Sequence, residues 1–250
     1  MKHLVSALSV LCFLAACATT KPSQVAPSAQ PVAATSVNSA VIPAPRTDPW
    51  ILERQAECVR RAAEAPQANV VFLGDSITQG WEDGGAEAWR NTLQPLGALN
   101  LGVSGDRTEN VLWRLQQAPI TRLQPKCVVL LIGTNNLGHG THTGEQALAG
   151  VLEVIRTLRA QAPAAMLLVL DVFPRGERFN PMRGELAQLN QALRAQAATL
   201  GYVSVAIGDR WVRADGSLDP ADMPDFLHLS PRAYAAWADA LAPHLQGALR

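Results

Sequence analysis

The stretch ANVVFLGDSITQG, residues 68–80, decides the fold. Residues 69–74 form a short, continuous apolar run that ends in glycine, and a polar turn containing Ser76 follows at once. Strands that are covered on both faces have such continuous apolar runs, whereas strands with one solvent-exposed face alternate between apolar and polar residues. We therefore predict a buried strand of a parallel sheet, with Ser76 just beyond its carboxyl end.

Four more apolar runs follow along the chain, at residues 98–101, 127–132, 165–170 and 202–206. The segments between and around these runs show apolar residues at helical spacing, with capping signals at several ends: 48–65, 108–117, 143–158, 180–201 and from 230 onward. Strands that alternate with helices favour a parallel sheet with helices on both faces. The sequence predicts one α/β domain with a doubly wound, five-stranded sheet.

Composition and charge agree with a single globular enzyme domain. The chain has 250 residues, of which 48% are hydrophobic and 17% charged, so a disordered or fibrous protein is excluded. Lysine plus arginine and aspartate plus glutamate both number 21, which gives a formal net charge of zero. Without a basic excess, we expect no nucleic-acid partner.

The amino terminus has the pattern of an export signal. Lys2 precedes an apolar stretch, residues 5–16, which is short for a membrane span. Its end, Leu14-Ala15-Ala16-Cys17, resembles a bacterial lipobox, which implies a lipoprotein signal peptide at residues 1–16 and a lipidated Cys17 that binds the membrane. An ordinary signal peptide or a short anchor is the alternative. Ala18, in place of aspartate, favours the outer membrane, with the protein facing the periplasm.

The next segment, residues 17–46, is rich in alanine, proline, serine and valine and nearly free of charge. Such a composition buries too little surface to offset the entropy of ordering, so we predict a disordered linker. The catalytic domain then spans residues 47–250. Its two cysteines, Cys58 and Cys127, are expected to be buried free thiols, although export makes a disulfide chemically feasible. The spacing of cysteine and histidine predicts no metal site.

Polar residues that can carry chemistry follow the predicted strands. Ser76 lies where the carboxyl ends of parallel strands open into a crevice, the usual ligand site of such folds. Ser104, in the sequence Gly-Val-Ser-Gly, is a rival nucleophile. The chain has no G-x-S-x-G elbow, which disfavours a standard α/β-hydrolase.

Asp225 and His228 lie three residues apart in the segment after the fifth strand. In such a pair the imidazole accepts a serine proton, and the carboxylate orients the ring and stabilises its charged form. Gly102 and Asn135 follow the second and third strands, where a backbone N–H and a side-chain amide can reach the same crevice. Together these residues supply a nucleophile, a base, an orienting acid and hydrogen-bond donors.

The same residues, in the same order, resemble the four sequence blocks of the SGNH (GDSL) hydrolase family: Gly74-Asp75-Ser76, Gly102, Gly133-Thr134-Asn135-Asn136 and Asp225-x-x-His228. Within that family, residues 100–115, 173–177 and 225–229 resemble the catalytic subunits of intracellular platelet-activating-factor acetylhydrolases. The likeness covers about residues 68–245.

The resemblance implies a role for each residue. Ser76 would be the nucleophile, His228 the base and Asp225 the orienting acid. The oxyanion hole would consist of the backbone N–H groups of Ser76 and Gly102 and the side-chain amide of Asn135. It also implies the flavodoxin-like sheet order 2-1-3-4-5 and no metal or organic cofactor.

The expected activity is hydrolysis of short acyl esters, acetyl above all, of a carbohydrate or a lipid through an acyl-enzyme. Two alternatives stay open at this point. A lysophospholipase or thioesterase would use the same residues, and a non-catalytic lipoprotein that binds the cell envelope would not use them at all. The sequence leaves the leaving alcohol and the oligomeric state open, and a homodimer is compatible with it.

Overall fold

A computed structural model describes residues 37–250, in which five strands form one parallel sheet. The strands are β1 Val70–Gly74, β2 Ala98–Asn100, β3 Cys127–Leu131, β4 Met166–Leu170 and β5 Val203–Val205. They lie in the order β2-β1-β3-β4-β5, and every neighbouring pair is parallel. The predicted fold class and strand order are therefore confirmed.

The two central strands, β1 and β3, are buried along their whole length. Successive side chains of a strand point to opposite faces. In β1, Val71 and Leu73 pack into the core on one face of the sheet, while Val70 and Phe72 pack into the core on the other. Both faces are covered by helices, which explains why the run at residues 69–74 is continuously apolar.

Between residues 37 and 250, eight α-helices accompany the sheet: α1 Pro49–Glu64, α2 Ser76–Gln79, α3 Ala86–Ala88, α4 Thr108–Gln117, α5 Thr134–Gly138, α6 Gly144–Gln161, α7 Pro181–Leu200 and α8 Pro231–Leu249. Helices α1, α4, α6 and α7 contribute to the core on one face. Helix α8 and the segment around Trp81 and Leu93 contribute to the other. The described part of the chain also has short 3₁₀ turns and one π-helical turn, Trp89–Leu93. The 3₁₀ turns are Ser39–Val41, Gly80–Glu82, Gln94–Leu96, Ile120–Arg122 and Gly208–Trp211.

An aromatic cluster on the α8 face fixes the segment that follows Ser76. The Trp81 ring lies 4.7 Å from Tyr234 and 4.8 Å from Trp237, measured between ring centroids, and all three side chains are buried. The Tyr234 hydroxyl donates to the Ile77 carbonyl oxygen at 2.7 Å. The core thus reaches directly to the backbone of α2.

The predicted domain boundary at residue 47 is wrong for the last part of the linker, because residues 37–46 are packed against the domain. Ala40 is completely buried, and its carbonyl oxygen accepts from the Thr108 hydroxyl at 2.8 Å. The Ala44 N–H donates to the Glu109 carbonyl oxygen, and Arg46 donates to the Ser104 carbonyl oxygen at 2.6 Å. These hydrogen bonds order a segment whose composition resembles a tether.

The predicted signal peptide, Cys17 and the linker up to residue 36 lie outside the described residues. Between residues 37 and 250, none of the helices combines the length and the apolar character that a membrane span requires.

Cys58 and Cys127 are buried free thiols, as expected. They belong to cores on opposite faces of the sheet.

Candidate active site

The turns after β1, β2 and β3 meet at one edge of the sheet because the three strands are parallel. Ser76 follows β1, Gly102 follows β2 and Asn135 follows β3. Asp225 and His228 come from the segment between β5 and α8. The edge thus collects side chains from positions about 150 residues apart in the chain, such as Ser76 and His228.

Ser76 is the first residue of the short helix α2. Asp75 caps this helix, since its Oδ1 accepts from the Ile77 N–H at 3.0 Å. The Ser76 N–H lies in the first turn, where backbone N–H groups have no partner within the helix. Gly74 is required just before this turn, because a Cβ there would overlap with the Thr78 side chain and the Leu131 carbonyl.

A chain of two hydrogen bonds links Ser76, His228 and Asp225. Ser76 Oγ lies 2.9 Å from His228 Nε2, and His228 Nδ1 lies 2.6 Å from Asp225 Oδ2. An ionised carboxylate only accepts, so Nδ1 carries the proton and Nε2 is left to accept from the serine hydroxyl. In this arrangement His228 can remove the proton of Ser76.

The Asp225 carboxylate is fixed from its other side as well. Its Oδ1 accepts from the backbone N–H of His228 at 2.7 Å and of Leu227 at 3.1 Å. Partial burial disfavours the charged form, but the hydrogen bonds from His228 outweigh it and lower the pKa of Asp225 below its ordinary value. Asp225 is therefore ionised at neutral pH, as an orienting acid requires.

Ser104, the rival nucleophile, forms two hydrogen bonds through its backbone. Its N–H donates to Gln79 Oε1 at 2.8 Å, and its carbonyl oxygen accepts from Arg46. The hydrogen bond from His228 Nε2 goes to Ser76 instead. The geometry favours Ser76 over Ser104.

The predicted oxyanion donors Asn135 and Gly102 differ in whether they have a hydrogen free to bind a substrate oxygen. The Asn135 side-chain amide donates one hydrogen to the Asp106 carbonyl oxygen at 3.0 Å, which leaves its second hydrogen for another acceptor. The Gly102 N–H already donates to Asn100 Oδ1 at 2.9 Å, so a substrate oxygen would have to share it. An asparagine two residues before a glycine is a pattern for such a side-chain turn, and that signal was available in the sequence.

Gly102 is nevertheless required by its surroundings. A Cβ at this position would overlap with the backbone nitrogen of Gln79 in α2. The turn after β2 is therefore packed directly against the helix that begins with Ser76. Larger residues at position 102 would push the two turns apart.

Two buried carboxyl groups behind the site, Asp75 and Asp106, were given no role in the sequence analysis. Asp75 is completely buried, and desolvation raises its pKa to about 7. Asp106 is also completely buried and forms an ion pair with Arg114 of α4, with 2.8 Å between Asp106 Oδ2 and Arg114 Nε. For Asp75 the signal was its place in the Gly74-Asp75-Ser76 block, and for Asp106 it was a set of charged residues beside Gly102.

A cavity with a mainly apolar lining lies away from these residues. It measures ≈ 600 Å³ and runs between α1 and α4. Apolar side chains dominate its lining, among them Leu52, Val59, Leu73, Leu101 and Leu123. Ser76, Asp225 and His228 do not line it, so this cavity is not a slot for an acyl chain bound at Ser76.

Comparison with known proteins shows the family of the chain. Residues 72–236 match the GDSL-like Lipase/Acylhydrolase family. The chain belongs to this family. It is therefore a carboxylic ester hydrolase by family, as the sequence predicted.

Among individual relatives, the chain is similar to platelet-activating factor acetylhydrolase IB subunit alpha1 of Homo sapiens, with 38% identity over 176 residues, 70% of this chain and 74% of the relative. It is also similar to subunit alpha2 of Gallus gallus, with 39% identity over 170 residues, 68% of this chain and 72% of the relative.

Solved structures show the same fold at lower sequence identity. An acylhydrolase from Bacteroides fragilis superposes with a TM-score of 0.69 at 22% identity, over 82% of this chain and all of that chain. An acetylxylan esterase from Geobacillus stearothermophilus gives a TM-score of 0.55 at 20% identity, over 70% of this chain and 93% of that chain.

Proposed function

We propose that Ser76, His228 and Asp225 form a catalytic triad that hydrolyses short acyl esters through an acyl-enzyme. The observation that carries this proposal is the continuous hydrogen-bonded chain from Asp225 through His228 to Ser76, with distances of 2.6 and 2.9 Å. The carboxylate, the ring and the hydroxyl stand in the order that nucleophilic catalysis by serine needs.

The first half-reaction makes the acyl-enzyme. Ser76 Oγ attacks the ester carbonyl carbon while His228 Nε2 accepts the hydroxyl proton, and Asp225 stabilises the resulting imidazolium. The tetrahedral intermediate then collapses: the bond to the alkoxide breaks, and His228 donates its proton to that alkoxide. The alcohol leaves, and the acyl group stays on Ser76.

The second half-reaction repeats these steps with water. His228 removes a proton from water as the water oxygen attacks the acyl carbon, and the proton then passes to Ser76 Oγ as the carboxylic acid leaves. In both halves a negative charge develops on the former carbonyl oxygen. The Ser76 N–H and the second hydrogen of the Asn135 amide are the main donors to it, with the Gly102 N–H shared between this oxygen and Asn100.

Three observations support a short acyl group. The Asp225 and His228 side chains are 56% and 44% exposed, so the triad opens directly to solvent. The segments beside the site, residues 80–87, 137–143 and 175–180, are rich in glycine and polar residues. The relatives are named acetylhydrolases, and one protein of the same fold is an acetylxylan esterase. We therefore favour acetyl esters of a carbohydrate or a lipid.

A series of p-nitrophenyl esters from two to twelve carbons tests the acyl preference, using full-length protein with Cys17→Ser. We expect kcat/KM to peak between acetyl and butyryl and to fall by octanoyl. A buried methylene is worth about 0.8 kcal/mol, so a deep slot would instead raise kcat/KM several-fold per added carbon. A steady rise through the long chains would support the lysophospholipase alternative.

Two further assays separate the remaining alternatives. A panel of acetylated glycans, lysophospholipids and acyl-thioesters compares the candidate substrates directly. A fluorophosphonate that labels Ser76 would argue against a non-catalytic, envelope-binding lipoprotein, whereas failure to label would favour it.

We also propose that the protein is exported and anchored in the outer membrane through lipidated Cys17. The lipobox-like sequence at residues 14–17 supports this. Cys17→Ser should release the protein from the membrane fraction of cells that express it. Equal membrane partition of the wild-type and variant proteins would contradict lipid anchoring.

A further inference from the structure

Arg114 of α4 contacts three of the turns that build the site. Its side chain is only 10% exposed. One terminal nitrogen donates to the Leu101 carbonyl oxygen at 2.9 Å and the other to the Gly74 carbonyl oxygen at 3.4 Å. Its Nε donates to Asp106 Oδ2 at 2.8 Å. A single guanidinium group thus joins the ends of β1 and β2 to the turn before α4.

These carbonyl groups belong to the peptide units next to the proposed donors. A peptide unit is planar and trans, so its C=O and its N–H point in opposite directions. The Leu101 C=O and the Gly102 N–H form one such unit. When Arg114 binds the Leu101 oxygen, it also sets the direction in which the Gly102 N–H points. The contact with Gly74 holds the peptide unit just before the Asp75–Ser76 turn in the same way.

Asp106, the partner of Arg114, fixes the orientation of the Asn135 side chain. Its carboxylate is completely buried and pairs with Arg114 at 2.8 Å, and Arg46 lies 3.7 Å away. Its backbone carbonyl oxygen accepts one hydrogen of the Asn135 amide at 3.0 Å. Since the two hydrogens of a planar amide have a fixed angle between them, this bond also fixes the direction of the second hydrogen.

We propose that the Arg114–Asp106 ion pair is a positioning pair that holds the Gly102 N–H and the Asn135 amide in line for the developing oxyanion. This inference rests on the proposed function of Ser76 as nucleophile. Neither residue contacts the substrate, and both act through the groups that do. Oxyanion donors contribute most to the rate when their orientation is fixed before the reaction starts. An ion pair that fixes this orientation therefore affects the rate, although it lies away from the substrate.

A purely structural role is the rival explanation, and the chain offers a matched control for it. Arg194 of α7 pairs with Asp171, which follows β4 and is 2% exposed. This second arginine–aspartate pair also ties a helix to the end of a strand. The contacts of Arg194 are with Asp171 and Asp209, not with the turns that carry Ser76, Gly102 and Asn135.

The test compares Arg114→Lys with Arg194→Lys in full-length protein. Lysine keeps the charge but lacks the planar fork that binds several oxygens at once. For Arg114→Lys we expect kcat for p-nitrophenyl acetate to fall at least tenfold, with KM within threefold, because the oxyanion exists only on the reaction path. The Arg194 side chain is 43% exposed, so we expect Arg194→Lys to lose less Tm, and each variant is assayed at the same interval below its own Tm. For Arg194→Lys we expect kcat within threefold of wild type. Equal losses of kcat would overturn the proposal.

If Arg114→Lys does not fold, Asp106→Asn provides a second test of the same proposal. It keeps the side-chain shape and the backbone carbonyl that binds Asn135, but it removes the ion pair. For Asp106→Asn, a kcat reduced at least threefold with an unchanged KM supports the proposal. A kcat equal to that of wild type overturns it.

A readout without turnover separates this inference from the proposed function. We would measure amide hydrogen exchange at Gly102 and the NMR signals of the Asn135 side-chain amide. We expect exchange at Gly102 to be at least tenfold faster in Arg114→Lys than in Arg194→Lys. Unchanged exchange and unchanged Asn135 signals would overturn the positioning role. If the wild-type protein hydrolysed no ester, the proposed function would fail, and the exchange data would still decide the role of Arg114.

Discussion

Two regions carry a carboxyl group close to Ser76, and they differ in exposure, hydrogen bonding and ionisation. Asp225 lies on an open segment, is 56% exposed and accepts three hydrogen bonds within that segment. Asp75 lies on the turn next to Ser76, is completely buried and has one oxygen, Oδ2, without a hydrogen-bond partner among the described residues. Ionisation is favoured at Asp225 and disfavoured at Asp75.

The difference shows that proximity in sequence does not decide which carboxylate serves the histidine. Asp75 is adjacent to Ser76, yet its Oδ1 is used to cap α2. Asp225 is about 150 residues away in the chain, and its Oδ2 reaches His228 Nδ1. The buried turn supplies a rigid position for Ser76, and the open segment supplies an ionised carboxylate. Each environment suits one of these tasks and not the other.

The largest expected effect separates these two carboxylates. Asp225→Asn should lower kcat by roughly 10⁴-fold, because an amide at this position no longer holds the proton on His228 Nδ1. Asp75→Asn keeps the oxygen that caps α2 and should leave kcat at pH 7 within about tenfold of wild type. Steady-state kinetics of both variants on p-nitrophenyl acetate measure the contrast. A reversed order would assign the orienting acid to Asp75.

A smaller effect tests the donors on the buried side of the site. Asn135→Ala removes one oxyanion donor and should lower kcat by roughly 10²-fold with little change in KM. Asn69→Ala is the control, since Asn69 precedes β1 at the opposite edge of the sheet. A variant impaired mainly in KM would make Asn135 a residue that binds the substrate in its ground state.

A third prediction concerns stability and pH, not turnover. In the folded protein the pKa of Asp75 is raised from 3.8 to about 7, so the protonated form is the one that folding favours. The folded state then binds more protons than the unfolded state, and the stability contributed by Asp75 is lost as pH rises from about 4 to about 7. The slope can reach about 1.4 kcal/mol per pH unit.

Urea unfolding between pH 4 and pH 8 measures this slope for wild type and for Asp75→Asn. The variant lacks the titrating group, so the free energy of unfolding of wild type relative to the variant should decrease with rising pH. Parallel curves for the two proteins would show that Asp75 does not titrate in this range.

The same contrast explains how much could be predicted from the sequence. Buried parallel strands are continuous apolar runs, so all five strands were located to within one residue at each end. Local capping signals were also readable: the Thr-x-x-Gln pattern at residues 143–146 corresponds to a capping box formed by Thr143 and Gln146 at the start of α6. Ser76, Asp225 and His228 were predicted as site residues because each follows a strand and parallel strands bring such residues to one edge, where the three side chains do meet.

Contacts that depend on distant pairing were not readable in this way. Residues 37–46 look like a tether, since composition does not show that the Ala44 N–H pairs with Glu109 in α4. Arg114 looks like an ordinary helical arginine until the fold brings Gly74, Leu101 and Asp106 within its reach. Periodicity indicates which face of a helix is buried, but it does not indicate which polar groups meet there.

The most direct test of the account is the site of covalent labelling by a fluorophosphonate, mapped by mass spectrometry of the digested protein. We predict a single label on Ser76 in wild type and in the Ser104→Ala control, and at most trace labelling in His228→Ala, because the serine hydroxyl is activated by His228 Nε2 at 2.9 Å. A label on Ser104, or labelling of His228→Ala at the wild-type rate, would contradict the proposed triad.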